Sequence, residues 1–177
     1  MKSAFACLLA MGAMLVSSRA ADVTTKITGV HLCCPTCATT AQKAVTGSAP
    51  AVKAVIDREG ETITLTGTDT ASVQKAVDGL VKAGFFGTSG NADIKIGSDT
   101  GAKGQEVKTL EVSDIHICCA SCAKAVTNAV LAVPGVKAAT GVVKNARTFS
   151  VTGDFKDSDV FAALQKEGLT GKVVSEK

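Results

Sequence analysis

Two short blocks contain the side chains that could carry chemistry in this protein. Outside the first twenty residues, every cysteine and both histidines lie in these blocks. Both follow the pattern His-x-Cys-Cys-x-x-Cys and comprise His31, Cys33, Cys34 and Cys37, and then His116, Cys118, Cys119 and Cys122. Thiolate and imidazole are the side-chain ligands that soft metal ions prefer. The repeated spacing therefore predicts two metal-binding sites.

The composition narrows the classes of partner. The chain has 177 residues, enough for one ordinary domain or two small ones. Aromatic residues make up only 3%, with no Trp or Tyr, which argues against nucleic-acid binding by base stacking. Once Lys2 and Arg19 are removed, basic and acidic residues are nearly equal in number. We therefore expect neither nucleic acid nor an anionic membrane surface as a partner.

The N-terminus predicts a secretory signal over residues 1–21. Lys2 precedes an apolar run, and Ser18-Arg19-Ala20 supplies the small residues of a cleavage site. The alternative is a membrane anchor, but the run is short for a span of about 20 residues. We expect a secreted, periplasmic protein that has no membrane segment after cleavage. Cysteines usually pair in that compartment, yet three per block cannot all pair within one half.

The hydrophobic pattern predicts the same series of elements twice. In the first half, it favours strands at 24–32, 51–57, 62–66 and 93–96 and helices at 38–45 and 70–83, the second helix capped by Thr70 and ended by Gly84. In the second half, it favours strands at 109–117, 136–143, 148–152 and 172–174, with one helix after the cysteines and another capped by Asp157-Ser158 and ended by Gly168.

The fold class follows from this repetition. Corresponding cysteines are 85 residues apart and the two helix-ending glycines 84, which indicates a tandem duplication with one small deletion. Strand–helix–strand–strand–helix–strand is the order of a ferredoxin-like sandwich. We predict an α+β protein of two such βαββαβ domains, at 22–96 and 108–177. The Gly-rich segment 97–107 is predicted to be a flexible linker that keeps the two metal sites separable.

Each cysteine block lies where the first strand ends and the first helix begins. This places Cys34 on the loop and Cys37 in the first helical turn, close enough to share one ion. The partial positive charge of a helix N-terminus favours thiolate, the form that binds metal.

These features resemble the heavy-metal-associated domain, a family that includes copper chaperones, modules of metal-pumping ATPases and the periplasmic mercury-binding protein. The family motif is Gly-Met-Thr-Cys-x-x-Cys at this loop. The resemblance covers nearly the whole chain after the signal. Residues 71–75 and 83–85 are especially similar to the mercury-binding branch. The resemblance implies that four cysteines bind metal: Cys34, Cys37, Cys119 and Cys122.

The chain departs from the family pattern at the same positions in both halves. Cys33 and Cys118 replace the family's Thr, and His31 and His116 replace its Gly. Two thiolates bind an ion linearly, whereas a third sulfur permits trigonal or tetrahedral coordination. The ion therefore stays open among Cu(I), Hg(II), Zn(II) and Cd(II), with one ion expected per domain.

Other interpretations of these residues stay open. The Cys-x-x-Cys pairs could form disulfides, and the extra cysteines could be small buried residues. Strand alternation would also make Cys33 and Cys34 point apart, with His31 on the face of Cys33. Phe85, which Leu169 replaces in the second half, is expected to be a packing residue.

The predicted function is capture, buffering or transfer of soft metal ions outside the cytoplasm. The expected partners are the metal ion and either a membrane metal transporter or another metal-binding domain. No acid–base or nucleophile pattern is visible, so we do not expect an enzyme. The alternatives are thiol–disulfide exchange through the Cys-x-x-Cys pairs and a protein-binding module whose metal is structural.

Overall fold

A computed structural model describes residues 21–174 of the chain. The predicted signal sequence lies outside the described residues, apart from Ala21. Within residues 21–174, no helix combines the length and apolar character that a membrane span requires.

The described residues form two four-stranded antiparallel sheets and four helices. The first half contains β1 (Val23–Thr28), α1 (Pro35–Ser48), β2 (Lys53–Asp57), β3 (Thr62–Gly67), α2 (Thr70–Lys82) and β4 (Thr88–Ser89). The second half contains β5 (Glu106–Ser113), α3 (Ala120–Leu131), β6 (Val136–Thr140), β7 (Thr148–Lys156), α4 (Asp157–Lys166) and β8 (Lys172–Val173). The strand orders are β2-β3-β1-β4 and β6-β7-β5-β8, so both halves share one topology. The α+β class and the order of elements agree with the sequence prediction.

The predicted periodicity places the core residues correctly. In α2, the residues at helical spacing are those that become buried: Val73, Ala76, Val77 and Leu80. In β1, Thr25 and Ile27 face the interior while their neighbours are exposed. Burying an apolar side chain of this size contributes roughly 1.5–3 kcal/mol, so these faces hold the helices against the sheets.

Both predicted helix caps are one residue too late. Asp69 is the N-cap of α2, and its carboxylate accepts a hydrogen bond from the backbone N–H of Ser72 at 2.8 Å. Thr70 is therefore the first helical residue. In α4 the N-cap is Lys156, and the Asp157 carboxylate accepts instead from the backbone N–H groups of Lys103 and Gln105.

The predicted strand at 93–96 is wrong. The strand that pairs with β1 is β4, at Thr88–Ser89. The backbone N–H and carbonyl of Lys95 bond to the side-chain amide of Gln74 on α2, at 2.9 and 2.8 Å. A side chain has thus replaced the partner strand, and the apolar alternation around Ile94 reflects packing into the core.

The predicted first strand is too long. It ends at Thr28 because Gly29 adopts a left-handed conformation, with φ of 70°. Residues 30–34 therefore follow a loop path. This change of direction decides where the adjacent cysteines point.

The segment joining the two halves is bonded to the second half. Besides the contacts at Asp157, the carbonyl of Thr100 accepts from the N–H of Val173 at 2.8 Å, and the Ser98 hydroxyl accepts from the Gln165 amide. Strand β5 begins at Glu106, inside the predicted linker. Flexibility of the segment stays a prediction.

The two halves pack against each other through equivalent loops. The loop after α2 contacts the segment before the second cysteine block, and the loop after α4 contacts the segment before the first. The N–H of Phe86 donates to the carbonyl of Gly168 at 3.0 Å, and the N–H of Thr170 donates to the carbonyl of Gly84 at 3.0 Å. Phe85 and Leu169 form an antiparallel bridge between these hydrogen bonds.

Candidate metal-binding site

Both Cys-x-x-Cys pairs occupy the N-terminal turn of a helix. Cys34 is the N-cap of α1 and Cys119 the N-cap of α3, both with extended backbone, and neither side chain caps its helix. Cys37 and Cys122 are the third residues of these helices and are fully buried. Pro35 suits the first helical position because its missing N–H has no partner there. The placement agrees with the prediction.

The six cysteines of the two blocks converge on one place. Cys33 lies 3.4 Å from both Cys119 and Cys122 of the other half, measured between Sγ atoms. Cys118 lies 3.4 Å from both Cys34 and Cys37. All six are free thiols. The prediction of two separable sites is therefore wrong, because the packing of the halves brings both blocks together.

The expectation that Cys33 and Cys34 point apart is also wrong. The Sγ atoms of Cys33 and Cys34 lie 3.7 and 3.5 Å from that of Cys37. Strand alternation does not apply because β1 has already ended at Thr28. The loop turns both side chains into the cluster, so the extra cysteine is placed as a ligand would be.

The two histidines lie at the edge of the sulfur cluster. His31 groups with Cys33 and Cys122, and His116 groups with Cys37, Cys118 and Cys122, with the possible ligand atoms of each group within 4.8 Å of one another. The Nε2 atoms of both histidines are buried and have no hydrogen-bond partner among the described residues. A buried polar atom without a partner is costly, so a ligand that satisfies it is favoured.

The ring of His116 also packs against Phe85 of the first half. The ring centroids are 4.6 Å apart and tilted by 35°. Burial lowers the pKa of His116, which favours the neutral imidazole that metals bind. In contrast, the Cys122 side chain raises the pKa of His31, against the opposing effect of burial.

The environment favours thiolate at defined cysteines. Burial tends to raise the pKa of Cys34, but hydrogen bonds from the backbone N–H of Cys37, from the Cys118 thiol and from the backbone N–H of Thr36 lower it to about 6. A hydrogen bond from Cys37 lowers the pKa of Cys122, and the same bond raises the pKa of Cys37. Thiolate is the form that both binds metal and attacks disulfides.

The sulfur spacing indicates the coordination number that the cluster fits. With a metal–sulfur bond of about 2.3 Å, the sulfurs lie about 4.6 Å apart in linear, 4.0 Å in trigonal and 3.8 Å in tetrahedral coordination. The contacts between cysteine Sγ atoms range from 3.4 to 3.9 Å. They are therefore nearer to three- or four-coordinate geometry. The donor set, thiolate with imidazole at the edge, fits soft ions.

The second half has a recognisable family match. Residues 109–170 match the family model of the heavy-metal-associated domain. This segment spans α3, α4 and the second cysteine block. Heavy-metal binding is thus the chemistry that the family match and the cysteine groups suggest together.

Comparisons with whole proteins add little. No curated protein matches the chain. The N-terminal soluble domains of Bacillus subtilis CopA are 21% identical, with 89% of this chain and 97% of that chain covered and a TM-score of 0.34. The first two RRM domains of yeast poly(U) binding protein Pub1 are 11% identical, with 87% and 100% covered and a TM-score of 0.27. At these scores neither likeness carries an argument.

The sequence alone did not identify the residues that join the two blocks. Gly84 and Gly168 were interpreted only as helix ends, yet each approaches the backbone of the opposite half. Phe85 and Leu169 are buried, as expected, but they pack across the contact between the halves. The signal was present in their common offset of 84 residues. The offset shows equivalent positions and not that those positions touch.

Proposed function

We propose that this chain binds soft metal ions through its six cysteines and holds or transfers them outside the cytoplasm. One observation carries the proposal: six free thiols and two imidazoles lie together at the N-termini of two helices. The family match over residues 109–170 supports the same class of ligand. The metal ion is cargo in this proposal, with both halves acting as heavy-metal-associated domains of ferredoxin-like fold that arose by duplication.

Cu(I) is the ion that we favour. It is the soft ion that accepts three thiolates without a fourth ligand, and the sulfur spacing is shorter than linear coordination needs. Zn(II) and Cd(II) would need a fourth ligand, which His31 or His116 could donate. Hg(II) in linear form would need the sulfurs to move apart.

Location and partners belong to the same proposal. Residues 1–21 would direct export, and the chain would act in the periplasm. A membrane metal transporter or another metal-binding domain would then deliver or accept the ion. Thiolates at helix N-termini suit such exchange because an incoming thiolate can replace one ligand at a time.

Metal uptake by the reduced protein tests the proposal. We expect native mass spectrometry to show Cu(I) bound to wild-type protein and absent from a variant with all six cysteines changed to Ser. Ser121→Ala, an exposed change between two of the cysteines, is the matched control and should bind as the wild type does. Failure of the reduced, folded wild type to bind any of Cu(I), Hg(II), Zn(II) and Cd(II) would overturn the proposal.

Thiol–disulfide exchange is the alternative that the same thiols support. It predicts that the protein transfers a disulfide to a reduced substrate protein at a catalytic rate. The metal proposal predicts instead that Cu(I) blocks alkylation of the cysteines and that uncatalysed exchange is not accelerated. Measuring both with one preparation separates the two functions.

A further inference from the structure

The sulfur cluster divides into two triads, and each triad combines cysteines from both halves. In the first triad, the Cys34–Cys37 pair at 3.5 Å is joined by Cys118 of the second half, which is 3.4 Å from each of them. The third sulfur nearest to this Cys-x-x-Cys pair as a whole is thus not Cys33, its neighbour in sequence.

The second triad repeats this arrangement. The Cys119–Cys122 pair at 3.6 Å is joined by Cys33 of the first half, which is 3.4 Å from each of them. The two triads share no residue and together use all six cysteines. Corresponding distances differ by no more than about 0.1 Å, so an approximate twofold axis relates the triads. Such symmetry makes chance proximity a poor explanation.

The triads touch at their buried members. The Sγ atoms of Cys37 and Cys122 are 3.9 Å apart, and this contact lies on the approximate twofold axis. Two ions held in the triads would therefore be close neighbours. The N-termini of α1 and α3 both end at this place, and their partial positive charges offset the negative charge of several thiolates.

The packing between the halves is built for close approach at the same level. A Cβ on Gly84 would lie 2.6 Å from the backbone nitrogen of His116, and one on Gly168 would lie 2.4 Å from that of His31. Both glycines also have positive φ, 89° and 72°. Each glycine thus lets the loop that follows a helix lie directly on the segment that leads into the other half's cysteines.

We propose that the chain holds two Cu(I) ions in one centre between its halves, with each Cys-x-x-Cys pair completed by the extra cysteine of the opposite half. This inference rests on the proposed function. It gives Cys33 and Cys118 a role: they are exchanged third ligands that tie the halves together. Each ion then has three sulfurs, Cys34, Cys37 and Cys118 for one and Cys33, Cys119 and Cys122 for the other.

The exchange also couples metal binding to docking. An ion in the first triad bonds to Cys118 and so fixes the second block near the first. Placing the second block brings Cys33 close to its own triad. The second Cu(I) therefore binds to a site that the first has already organised, and binding of the two ions is cooperative.

A variant with one triad left intact tests which extra cysteine acts. Cys119→Ser with Cys122→Ser leaves Cys34, Cys37, Cys118 and Cys33. We expect this parent variant to bind one Cu(I) with three sulfurs, as measured by X-ray absorption. Adding Cys118→Ser should reduce the sulfur number to two and weaken Cu(I) binding by at least about tenfold, the scale on which even outer-shell changes act. Adding Cys33→Ser instead is the matched control and should change neither.

The outcomes separate the inference from the proposed function. A loss with Cys33→Ser and none with Cys118→Ser would mean that each half supplies its own third ligand, which overturns the inference and leaves metal binding intact. A wild type that binds Cu(I) while the parent variant does not would also overturn it. A wild type that binds none of the tested ions rejects the proposed function itself.

Hydrogen exchange on the wild type gives a test that needs no variant. The N–H groups of Phe86 and Thr170 bond across the contact between the halves. We expect Cu(I) to slow exchange of these two amides by about tenfold or more, in step with the second ion bound. The N–H of Ala49, which bonds within the first half, is the internal control. Equal exchange with and without Cu(I) at Phe86 and Thr170 would contradict docking by the metal.

Discussion

At the scale of single residues, a substitution of Thr by Cys changes what the site can bind. The family pattern supplies two sulfurs per domain, and Cys33 and Cys118 add a third to each triad. Their Sγ atoms lie as close to the opposite pair as the members of that pair lie to each other. The extra sulfur shifts the preferred geometry from linear to trigonal.

Restoring the family residue should reverse that shift. We expect Cys33→Thr with Cys118→Thr to lower the sulfur number at Cu(I) from three to two and to weaken Cu(I) binding by about tenfold or more. Linear Hg(II) binding should change little because the Cys-x-x-Cys pairs remain. X-ray absorption and competition titration with a chromophoric chelator measure these quantities. Two sulfurs in both proteins would mean that Cys33 and Cys118 take no part.

At the scale of elements, caps and turns decide where the cysteines point. Gly29 ends β1 and turns the following loop, so that Cys33 and Cys34 both face the cluster. The periodicity of the sequence was enough to predict the helices and most strands, because burial repeats at 3.6 or 2 residues. It failed at 93–96, where Gln74 bonds to the backbone and a strand partner is absent. A side chain that replaces a strand leaves no periodic signal.

The cap of α2 gives a prediction about stability and pH. We expect Asp69→Ala to lower the melting temperature and Asp69→Asn to lower it less, because Asn can still accept from the Ser72 N–H. Hydrogen bonds from the Ser72 hydroxyl and N–H lower the pKa of Asp69. The contribution is therefore present above the ordinary pKa of Asp and is lost as pH falls through the lowered value.

The measurement is thermal unfolding of the metal-free, reduced protein across acidic pH. The melting temperatures of wild type and Asp69→Asn should approach each other as the pH falls. A difference that stays constant over the whole acidic range would mean that the ionised carboxylate is not what stabilises the helix.

At the scale of the whole molecule, the main finding is that the two halves form one site. The sequence could predict the residues of this site, because both blocks carry the same uncommon pattern. It could not predict that the blocks meet. Their meeting depends on Gly84, Phe85, Gly168 and Leu169, which lie far from the cysteines in sequence and pack on the opposite half. A contact between surfaces of two small domains has no periodicity to reveal it.

The glycines of this contact give the last prediction. Gly84→Ala places a methyl group 2.6 Å from the His116 nitrogen and forces an L-residue to a φ of 89°. An L-residue in the left-handed region costs about 1–2 kcal/mol. Where Cu(I) binding requires docked halves, that cost weakens binding by about 5- to 30-fold. We expect this loss in a Cu(I) competition titration, together with faster exchange of the Phe86 and Thr170 amides. Gly168→Ala should act in the same way from the other side.

Gly47→Ala is the matched control for these two variants. Gly47 lies in α1, and a Cβ there meets nothing within 4 Å. Ala favours a helix over Gly by about 0.5–1 kcal/mol, so this change should raise stability slightly and leave Cu(I) affinity as it is. If Gly84→Ala and Gly168→Ala bind Cu(I) as tightly as Gly47→Ala does, with unchanged exchange at Phe86 and Thr170, metal binding does not depend on the docked halves. Each Cys-x-x-Cys would then act alone within its own half.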